Sequence, residues 1–174
     1  MRKFELTSEF ITVFGKKLFR IKSLISFGDV KEGDLGGYIE KEGNLNQSGD
    51  AWVSGDARVS GDAQVYGNAC VSGDARVYGN ARVSGDAWVS GDAQVSGDAD
   101  YATVHGFGSE YRTTTFYKTK NGEIGVKCGC FYGNLKEFRE KVKETHGDSK
   151  KAEEYLLIAK AMESRLSEEK TDGK

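Results

Sequence analysis

The side chains best suited to metal or redox chemistry are the two cysteines of the stretch Cys128-Gly129-Cys130. A structural zinc ion takes four ligands at accepted spacings, so His146 or Cys70 would have to complete the set. On an alternating strand, residues two apart lie on the same face, which is the pattern of two small buried side chains. We therefore expect no bound metal and no cofactor.

Aspartates form a second candidate site, because a Gly-Asp or Gly-Asn pair recurs through the middle of the chain. Calcium-binding repeats with such pairs run nine residues and contain several glycines, which this chain does not match. Glycine, asparagine and aspartate share a tolerance of the left-handed backbone that corners require. We interpret these residues as turn residues and expect no calcium site.

The elements that position these residues come from a six-residue repeat. Between Gly49 and Asp100 the triplet Gly-Asp-Ala or Gly-Asn-Ala occurs nine times, always six residues apart. One valine lies at a fixed offset between successive triplets, at Val53, Val59, Val65, Val71, Val77, Val83, Val89 and Val95. Each hexad predicts one short strand and one corner, with its valine and its alanine inside. A single hexad can bury nothing alone, so the hexads must stack on each other.

This hexad resembles the repeat of left-handed parallel β-helices, in which three hexads make one triangular coil. The resemblance implies a left-handed winding, an exception to the usual right-handed crossover. With eighteen residues per coil, outward residues stack about 4.8 Å apart. The predicted fold is mainly β: a left-handed parallel β-helix with an N-terminal β cap and a C-terminal cap of one β-hairpin and two helices.

The outward ladders of the coil contain the candidate contact residues. These are Trp52, Cys70 and Trp88 on one face, Arg58, Arg76 and Tyr78 on the second, and Tyr66 and Arg82 on the third. Tryptophan is enriched among the residues that dominate binding energy, and Trp52 and Trp88 are two coils apart on one face. We expect this pair to anchor a protein partner or a second copy of the chain, unless a flank folds back and covers it.

The sequence predicts four segments. They are an N-terminal β cap over 1–36, the β-helix over 37–107, a hairpin and two-helix cap over 108–167, and a disordered tail over 168–174. In the cap, Gly15-Lys16-Lys17 is interpreted as a hairpin turn.

The hexad phase is expected to extend beyond the perfect repeats at both ends. Upstream, Ile39 and Leu45 take alanine positions. Downstream, Tyr101 and Phe107 take valine positions and His105 an alanine position, where large side chains close the narrow core.

The C-terminal segment predicts a hairpin followed by two helices. The strands over 111–117 and 124–131 flank the turn Asn121-Gly122. A helix that ends near Gly147 follows, with Leu135, Phe138 and Val142 on one face. The second helix begins near Ser149, and its inward residues are Ala152, Tyr155, Leu156, Ala159, Met162 and Leu166.

Composition excludes several classes of function. The net charge is −2, and the nine hexads carry eight aspartates against three arginines. This charge argues against direct nucleic-acid contact. No apolar run approaches the length of a membrane span, and no signal-peptide core follows Met1. An odd number of cysteines, three, favours a reducing compartment, which we interpret as the cytoplasm of a host cell.

The whole layout also resembles a group of small proteins from gut Firmicutes and their phages, often labelled polymer-forming cytoskeletal proteins. The resemblance is carried by Leu18-Phe19-Arg20-Ile21 and Asp34-Leu35-Gly36-Gly37-Tyr38 before the hexads, and by Cys128-Gly129-Cys130-Phe131-Tyr132-Gly133 after them. It implies a phage or mobile-element origin but no settled activity. Small non-enzymatic proteins from that setting are commonly inhibitors of host defence, including CRISPR nucleases.

We therefore expect a non-enzymatic protein-binding module, with inhibition of a host defence nuclease complex as the sharpest hypothesis. One alternative is a structural or oligomerisation module, for which a homodimer is the simplest form. Another is an acyltransferase, because many hexapeptide β-helices are acyltransferases. That resemblance implies a catalytic histidine beside a loop that interrupts a coil. His105 and His146 are the histidines of the chain, and the nine hexads are uninterrupted.

Overall fold

The centre of the molecule is a parallel β-solenoid of about three turns, seen in a computed structural model that describes residues 1–108 and 110–167. Its eight strands are β4 (Trp52–Val53), β5 (Arg58–Val59), β6 (Gln64–Val65), β7 (Cys70–Val71), β8 (Arg76–Val77), β9 (Arg82–Val83), β10 (Trp88–Val89) and β11 (Gln94–Val95). Each strand pairs in parallel with the strand eighteen residues away, as Trp52 does with Cys70 and Cys70 with Trp88. The predicted β-helix with three hexads per coil is confirmed.

The inside of the solenoid is filled by the valine and the alanine of each hexad. The eight valines are 0% exposed and the eight alanines from Ala51 to Ala93 are at most 1% exposed, whereas Ala99 of the ninth triplet is exposed. The corner glycines from Gly49 to Gly91 have φ between 63° and 72°, a conformation that side chains disfavour. At Gly73 an added Cβ would also lie 2.9 Å from the main-chain nitrogen of Gly91 on the next coil. Glycine is thus required there both by conformation and by the close stacking of the coils.

The N-terminal flank continues one face of the solenoid as a sheet. Strands β1 (Phe4–Val13) and β2 (Lys16–Ser23) form an antiparallel hairpin, and β3 (Leu35–Ile39) joins β2 to β5. The resulting six-stranded sheet has the order β1-β2-β3-β5-β8-β11. The predicted hairpin is present, but Val13 pairs with Lys16, so the two turn residues are Phe14 and Gly15.

The prediction that Ile39 and Leu45 take alanine positions is wrong. Ile39 pairs with Val59 and Leu45 with Val65, so both large side chains occupy valine positions, twenty residues before their partners. The alanine position opposite Ala57 is taken by Gly37, where an added Cβ would lie 2.6 Å from the Ala57 carbonyl oxygen. The corner has no room for a leucine or an isoleucine, and this steric limit sets the register.

Two polar side chains close the N-terminal end of the solenoid. The Lys3 ammonium donates to the carbonyl oxygens of Ala51 at 2.8 Å and Gly49 at 3.2 Å. The Asn44 amide donates to the carbonyl oxygens of Ala63 and Gly61. Lys3 is 1% exposed and Asn44 is 0% exposed. These groups replace donors that a preceding coil would supply, and buried carbonyls without them would be destabilising.

The solenoid ends at a short 3-10 helix, Asp98–Asp100, and the chain then changes direction. Strand β12 (Tyr101–Phe107) pairs antiparallel with β13 (Arg112–Lys118). The expected hexad phase of His105 and Phe107 is therefore wrong, since both are exposed, and Phe107 is 41% exposed. Tyr101 does pack against the solenoid core. The antiparallel pairing replaces stacking because the next sequence segment offers no further hexad.

Hydrogen-bond acceptors on side chains close the C-terminal end of the solenoid. The Asp98 carboxylate accepts from the main-chain nitrogen of Arg82 at 2.8 Å, and the Thr115 hydroxyl accepts from that of Trp88 at 2.9 Å. Tyr117 is 1% exposed, packs against the last coil, and its hydroxyl lies 3.2 Å from that of Ser90.

The C-terminal cap is a four-stranded antiparallel sheet covered by two helices. Strands β14 (Ile124–Cys128) and β15 (Phe131–Asn134) complete the order β12-β13-β14-β15. Helix α1 (Leu135–His146) ends at Gly147, and α2 (Lys150–Leu166) begins after Ser149, whose hydroxyl caps it. The predicted hairpin, both helices and their inward faces are confirmed. The predicted disordered tail, 168–174, lies outside the described residues.

The inward assignment of the valines can be tested with a neighbouring pair of variants. Val65→Asp should lower the free energy of unfolding by several kcal/mol, because an unpaired charge would be buried. Gln64→Asp, at the exposed position next to it, should change it by less than about 0.5 kcal/mol. Urea unfolding followed by circular dichroism measures both. Equal effects of the two changes would contradict the assignment.

The burial of Lys3 predicts a pH dependence of stability. Desolvation lowers the pKa of Lys3 to about 8, opposed by the nearby Asp50 carboxylate. Between that value and the ordinary pKa near 10.4, the unfolded chain holds a proton that the folded protein has released. As the pH rises from about 7.5 to 9.5, the free energy of unfolding of the wild type should therefore increase by roughly 1–2 kcal/mol relative to that of Lys3→Met. Thermal unfolding of both proteins checks this, and parallel pH profiles would contradict it.

Candidate protein-binding groove

The predicted contact residues lie on three separate outward faces of the solenoid. The face of strands β4, β7 and β10 carries Trp52, Cys70 and Trp88. The face of β5, β8 and β11 carries Arg58, Arg76 and Tyr78. The face of β6 and β9 carries Tyr66 and Arg82. The structure brings Arg58, Arg76 and Tyr78 together, and it separates them from the others.

Of the two arrangements predicted for the tryptophan face, exposed or covered by a flank, the covered one is present at Trp52. Its side chain is only 6% exposed, and the Phe27 ring meets it edge-on at 5.5 Å between ring centroids. The loop between β2 and β3 thus covers the first rung of this face. Apolar contact with two aromatic rings explains why the loop folds there rather than remaining in solvent.

Trp88 keeps a partly open position on the same face. It is 45% exposed, its indole nitrogen donates to the Ser72 hydroxyl, and the Lys127 ammonium lies 4.4 Å from the ring centroid. Cys70 lies between the two tryptophans, and burial raises the pKa of its thiol. A lone indole under a lysine does not form the predicted flat two-ring surface.

The third face is narrower. Tyr66 is half-buried and Arg82 is exposed, while the Tyr101 hydroxyl donates to the Arg82 carbonyl oxygen at 2.6 Å. Tyr66 lines a separate cavity with Leu45, Gln64 and Val65.

The second face forms one side of an open groove of about 570 Å³. The hairpin tip forms the other side, with Val13, Phe14, Lys16 and Leu18. The solenoid side consists of Arg58, Ser60, Gly61, Arg76, Val77, Tyr78, Gly79 and Gln94. Apolar surface and two guanidinium groups therefore meet in one groove, which we call the tip groove.

The hairpin tip presents an aromatic side chain to solvent. Phe14 is 94% exposed and has φ of 48°, and Gly15 after it has φ of 78°. A large non-glycine residue in this conformation is uncommon. Phe14 is therefore almost fully exposed at the turn and also lines the groove.

An ion pair and a hydrogen bond hold the tip against the solenoid. The Lys16 ammonium lies 3.1 Å from the Glu40 carboxylate. That carboxylate also accepts from the main-chain nitrogen of Gly61 at 2.6 Å. The Gly61 hydrogen bond, followed by Lys16, lowers the pKa of Glu40. The charge on Glu40 thus links β2 to a corner of the coil and fixes one wall of the groove.

The two arginines of the groove stack on successive coils. Arg58 and Arg76 are direct Cα partners across β5 and β8, and both are half-buried. Among residues 1–108 and 110–167, every ion pair involves other cations. The groove therefore holds two like charges that the described residues leave without a carboxylate.

The histidines and the remaining cysteines lie away from the groove. The His105 ring bonds the Thr113 hydroxyl on the C-terminal sheet, and His146 stacks on Tyr155. The expectation that Cys128 and Cys130 share one face of a strand is wrong, because β14 ends at Cys128 and Gly129 turns the chain with φ of 55°. In the described residues no cluster of three or more His, Cys, Asp or Glu side chains has the geometry to hold a metal ion.

Comparison with known proteins supports the solenoid. A family model described as YdcK Beta solenoid repeat matches residues 63–77 and 75–91, which lie inside the stacked coils. The chain is a β-solenoid repeat protein. No curated protein matches it. Within the described residues, neither helix is long and apolar enough to span a membrane.

Sequence reasoning found the two arginines, Tyr78 and the hairpin turn but missed Phe14 as a contact residue. The signal was present, since Phe14 precedes a glycine between two alternating apolar blocks. What the repeat pattern alone did not reveal is that the tip would lie beside Arg58 and Arg76.

The two tryptophans provide a matched test of which part of the face is covered. Trp52→Ala should lower the free energy of unfolding by about 3–5 kcal/mol, because it removes a buried ring. Trp88→Ala should lower it by about 1 kcal/mol, chiefly through its contact with Lys127. Urea unfolding of both variants measures the difference. Similar decreases in the two variants would contradict the description of this face.

Proposed function

We propose that this protein is a non-enzymatic protein-binding module and that the tip groove is its contact surface. The single observation behind the proposal is the exposed Phe14 ring on a tip that Lys16 and Glu40 fix beside two arginines, which form no ion pair among residues 1–108 and 110–167. Aromatic and arginine side chains are enriched among the residues that dominate protein–protein binding energy. A fixed tip loses little conformational entropy on binding, which favours affinity.

The more specific proposal is an inhibitor of a host defence system, encoded by a phage or mobile element and acting in the host cytoplasm. It rests on the resemblance of the whole layout to small proteins of gut Firmicutes and their phages. An inhibitor of a nuclease complex, such as a CRISPR effector, needs a surface that binds protein and no catalytic centre of its own. A rigid solenoid with one mixed apolar and cationic groove fits that requirement.

The two alternative functions have less support. End-to-end stacking of solenoids needs free strand edges, but Lys3 and Asn44 cover one end and the C-terminal sheet covers the other. An acyltransferase needs a histidine beside bound substrate. His105 lies on β12 and His146 at the end of α1, outside the stacked coils.

The test compares partner capture by three tagged proteins: wild type, Phe14→Ser, and Leu157→Ser. Leu157 is 61% exposed on α2, in the C-terminal cap, so it controls for the removal of an exposed apolar side chain. Lysate of a gut Firmicute that carries a CRISPR system is passed over each protein, and bound proteins are quantified by mass spectrometry. A partner should be retained by wild type and Leu157→Ser and should be absent from Phe14→Ser.

A functional readout follows capture. Target DNA cleavage by the captured nuclease complex should fall when wild type or Leu157→Ser is added and should be unchanged when Phe14→Ser is added. Capture that is unaffected by Phe14→Ser would contradict the groove as contact surface. Transfer of an acyl group from acyl-coenzyme A, with release of coenzyme A, that disappears in His105→Ala would contradict the non-enzymatic function.

A further inference from the structure

We infer that the tip groove binds an acidic segment of a partner protein, with carboxylates on Arg58 and Arg76 and an apolar side chain against Phe14 and Tyr78. This inference deepens the proposed function and rests on it. It names the chemistry of the partner surface, which the exposed tip alone does not specify.

The charge of the groove indicates the first part of this chemistry. Like charges directly opposite each other on neighbouring strands are destabilising. Arg58 and Arg76 are such a pair, about 4.8 Å apart along the solenoid. On the strands between Trp52 and Val95, all within the described residues, the third face instead pairs Gln64 with Arg82. A carboxylate bound between the two guanidinium groups would remove the repulsion and form charge-assisted hydrogen bonds with both.

The other cations near the groove already have partners. Lys16 pairs with Glu40, and Lys41 pairs with Asp62 at 2.9 Å. The described residues therefore leave two charges in the groove itself, those of Arg58 and Arg76. Two charges match a short acidic segment rather than a long polyanion.

The surroundings of the arginines favour a peptide over a nucleic acid. Asp56 and Asp74 lie in the corners two residues before Arg58 and Arg76, and they continue a carboxylate series with Asp92. A nucleic-acid duplex carries one phosphate charge per roughly 1.7 Å, so it would bring phosphates against these carboxylates. A peptide with two or three acidic residues does not extend that far.

The apolar part of the groove indicates the second feature of the segment. Val13, Leu18 and Val77 contribute apolar surface to the lining. Gly61 and Gly79 have no side chains, which leaves the space between the tip and the coil open. Tyr78 is 39% exposed at this edge. A leucine or an aromatic side chain between acidic residues would bury its surface against this lining.

The probe is a fluorescein-labelled peptide with glutamates on both sides of one leucine. Its control has glutamine at each glutamate position. Fluorescence anisotropy at low salt measures binding to wild type, to the double variant Arg58→Gln/Arg76→Gln, and to Arg82→Gln. Arg82 is an exposed arginine on the third face, so its variant removes an arginine charge outside the groove, one charge against the two that the double variant removes. Thermal unfolding verifies that all three proteins fold.

We expect the acidic peptide to bind wild type and Arg82→Gln equally, and the glutamine peptide to bind neither. The double variant should bind the acidic peptide about a hundredfold more weakly, because removing each charge-assisted hydrogen bond weakens binding about tenfold. Added salt should weaken the wild-type interaction. Replacing the leucine of the peptide by serine should weaken binding separately from the arginines.

Three outcomes would overturn the inference. The first is equal binding of the two peptides, or no binding of either at millimolar concentration. The second is an equally weakened interaction in Arg82→Gln. The third is a single-stranded oligonucleotide that binds more tightly and displaces the peptide, which would indicate a nucleic-acid ligand. If the double variant still captures the partner while Phe14→Ser does not, this inference fails and the proposed function stands.

Discussion

The structure depends on the main-chain hydrogen bonds between coils, which require the strands from Trp52 to Val95 to hold one eighteen-residue register. Each hexad contributes only one valine and one alanine to the interior, so the side chains alone provide little burial per residue. The main-chain hydrogen bonds between N–H and C=O groups supply the remaining stabilisation. These hydrogen bonds are complete only where a coil has neighbours on both sides. Both ends of the solenoid therefore need groups that replace the missing coil.

The two ends meet this need with opposite chemistry. At the first coil, carbonyl oxygens receive hydrogen bonds from the Lys3 ammonium and the Asn44 amide. At the last coil, main-chain N–H groups donate to the Asp98 carboxylate and the Thr115 hydroxyl. This difference follows from the direction of a parallel solenoid. It also explains a buried lysine, an arrangement that would otherwise be destabilising because burial disfavours the charged form.

The capping of the first coil determines where the candidate contact surface lies. Strand β3 must pair with β5 to cover the coil edge, and the β1–β2 hairpin extends the same sheet. The Lys16–Glu40 pair then holds the tip beside the second face. The flanks cover part of the first face, where Phe27 packs on Trp52 and Lys127 lies over Trp88. The surface with two half-buried arginines and an aromatic tip is thus a consequence of how the ends are closed.

The sequence by itself determined the solenoid, because a strict six-residue period allows one set of inward valines and one set of corner glycines. It also determined both helices, since Phe138 and Val142, or Tyr155 and Ala159, recur at helical spacing and Gly147 ends the first helix. Local patterns suffice where a residue's environment is set by its near neighbours in the chain.

Only the tertiary structure decided the register of Ile39, the burial of Trp52, the pairing of β12 and the meeting of Phe14 with Arg58 and Arg76. Each of these depends on contact between segments far apart in sequence, and several packings of the flanks are consistent with the same local pattern. The choice among them is made by steric limits at the corners and by the burial of aromatic rings. Neither the steric limits nor the burial of aromatic rings produces a periodic pattern in the sequence.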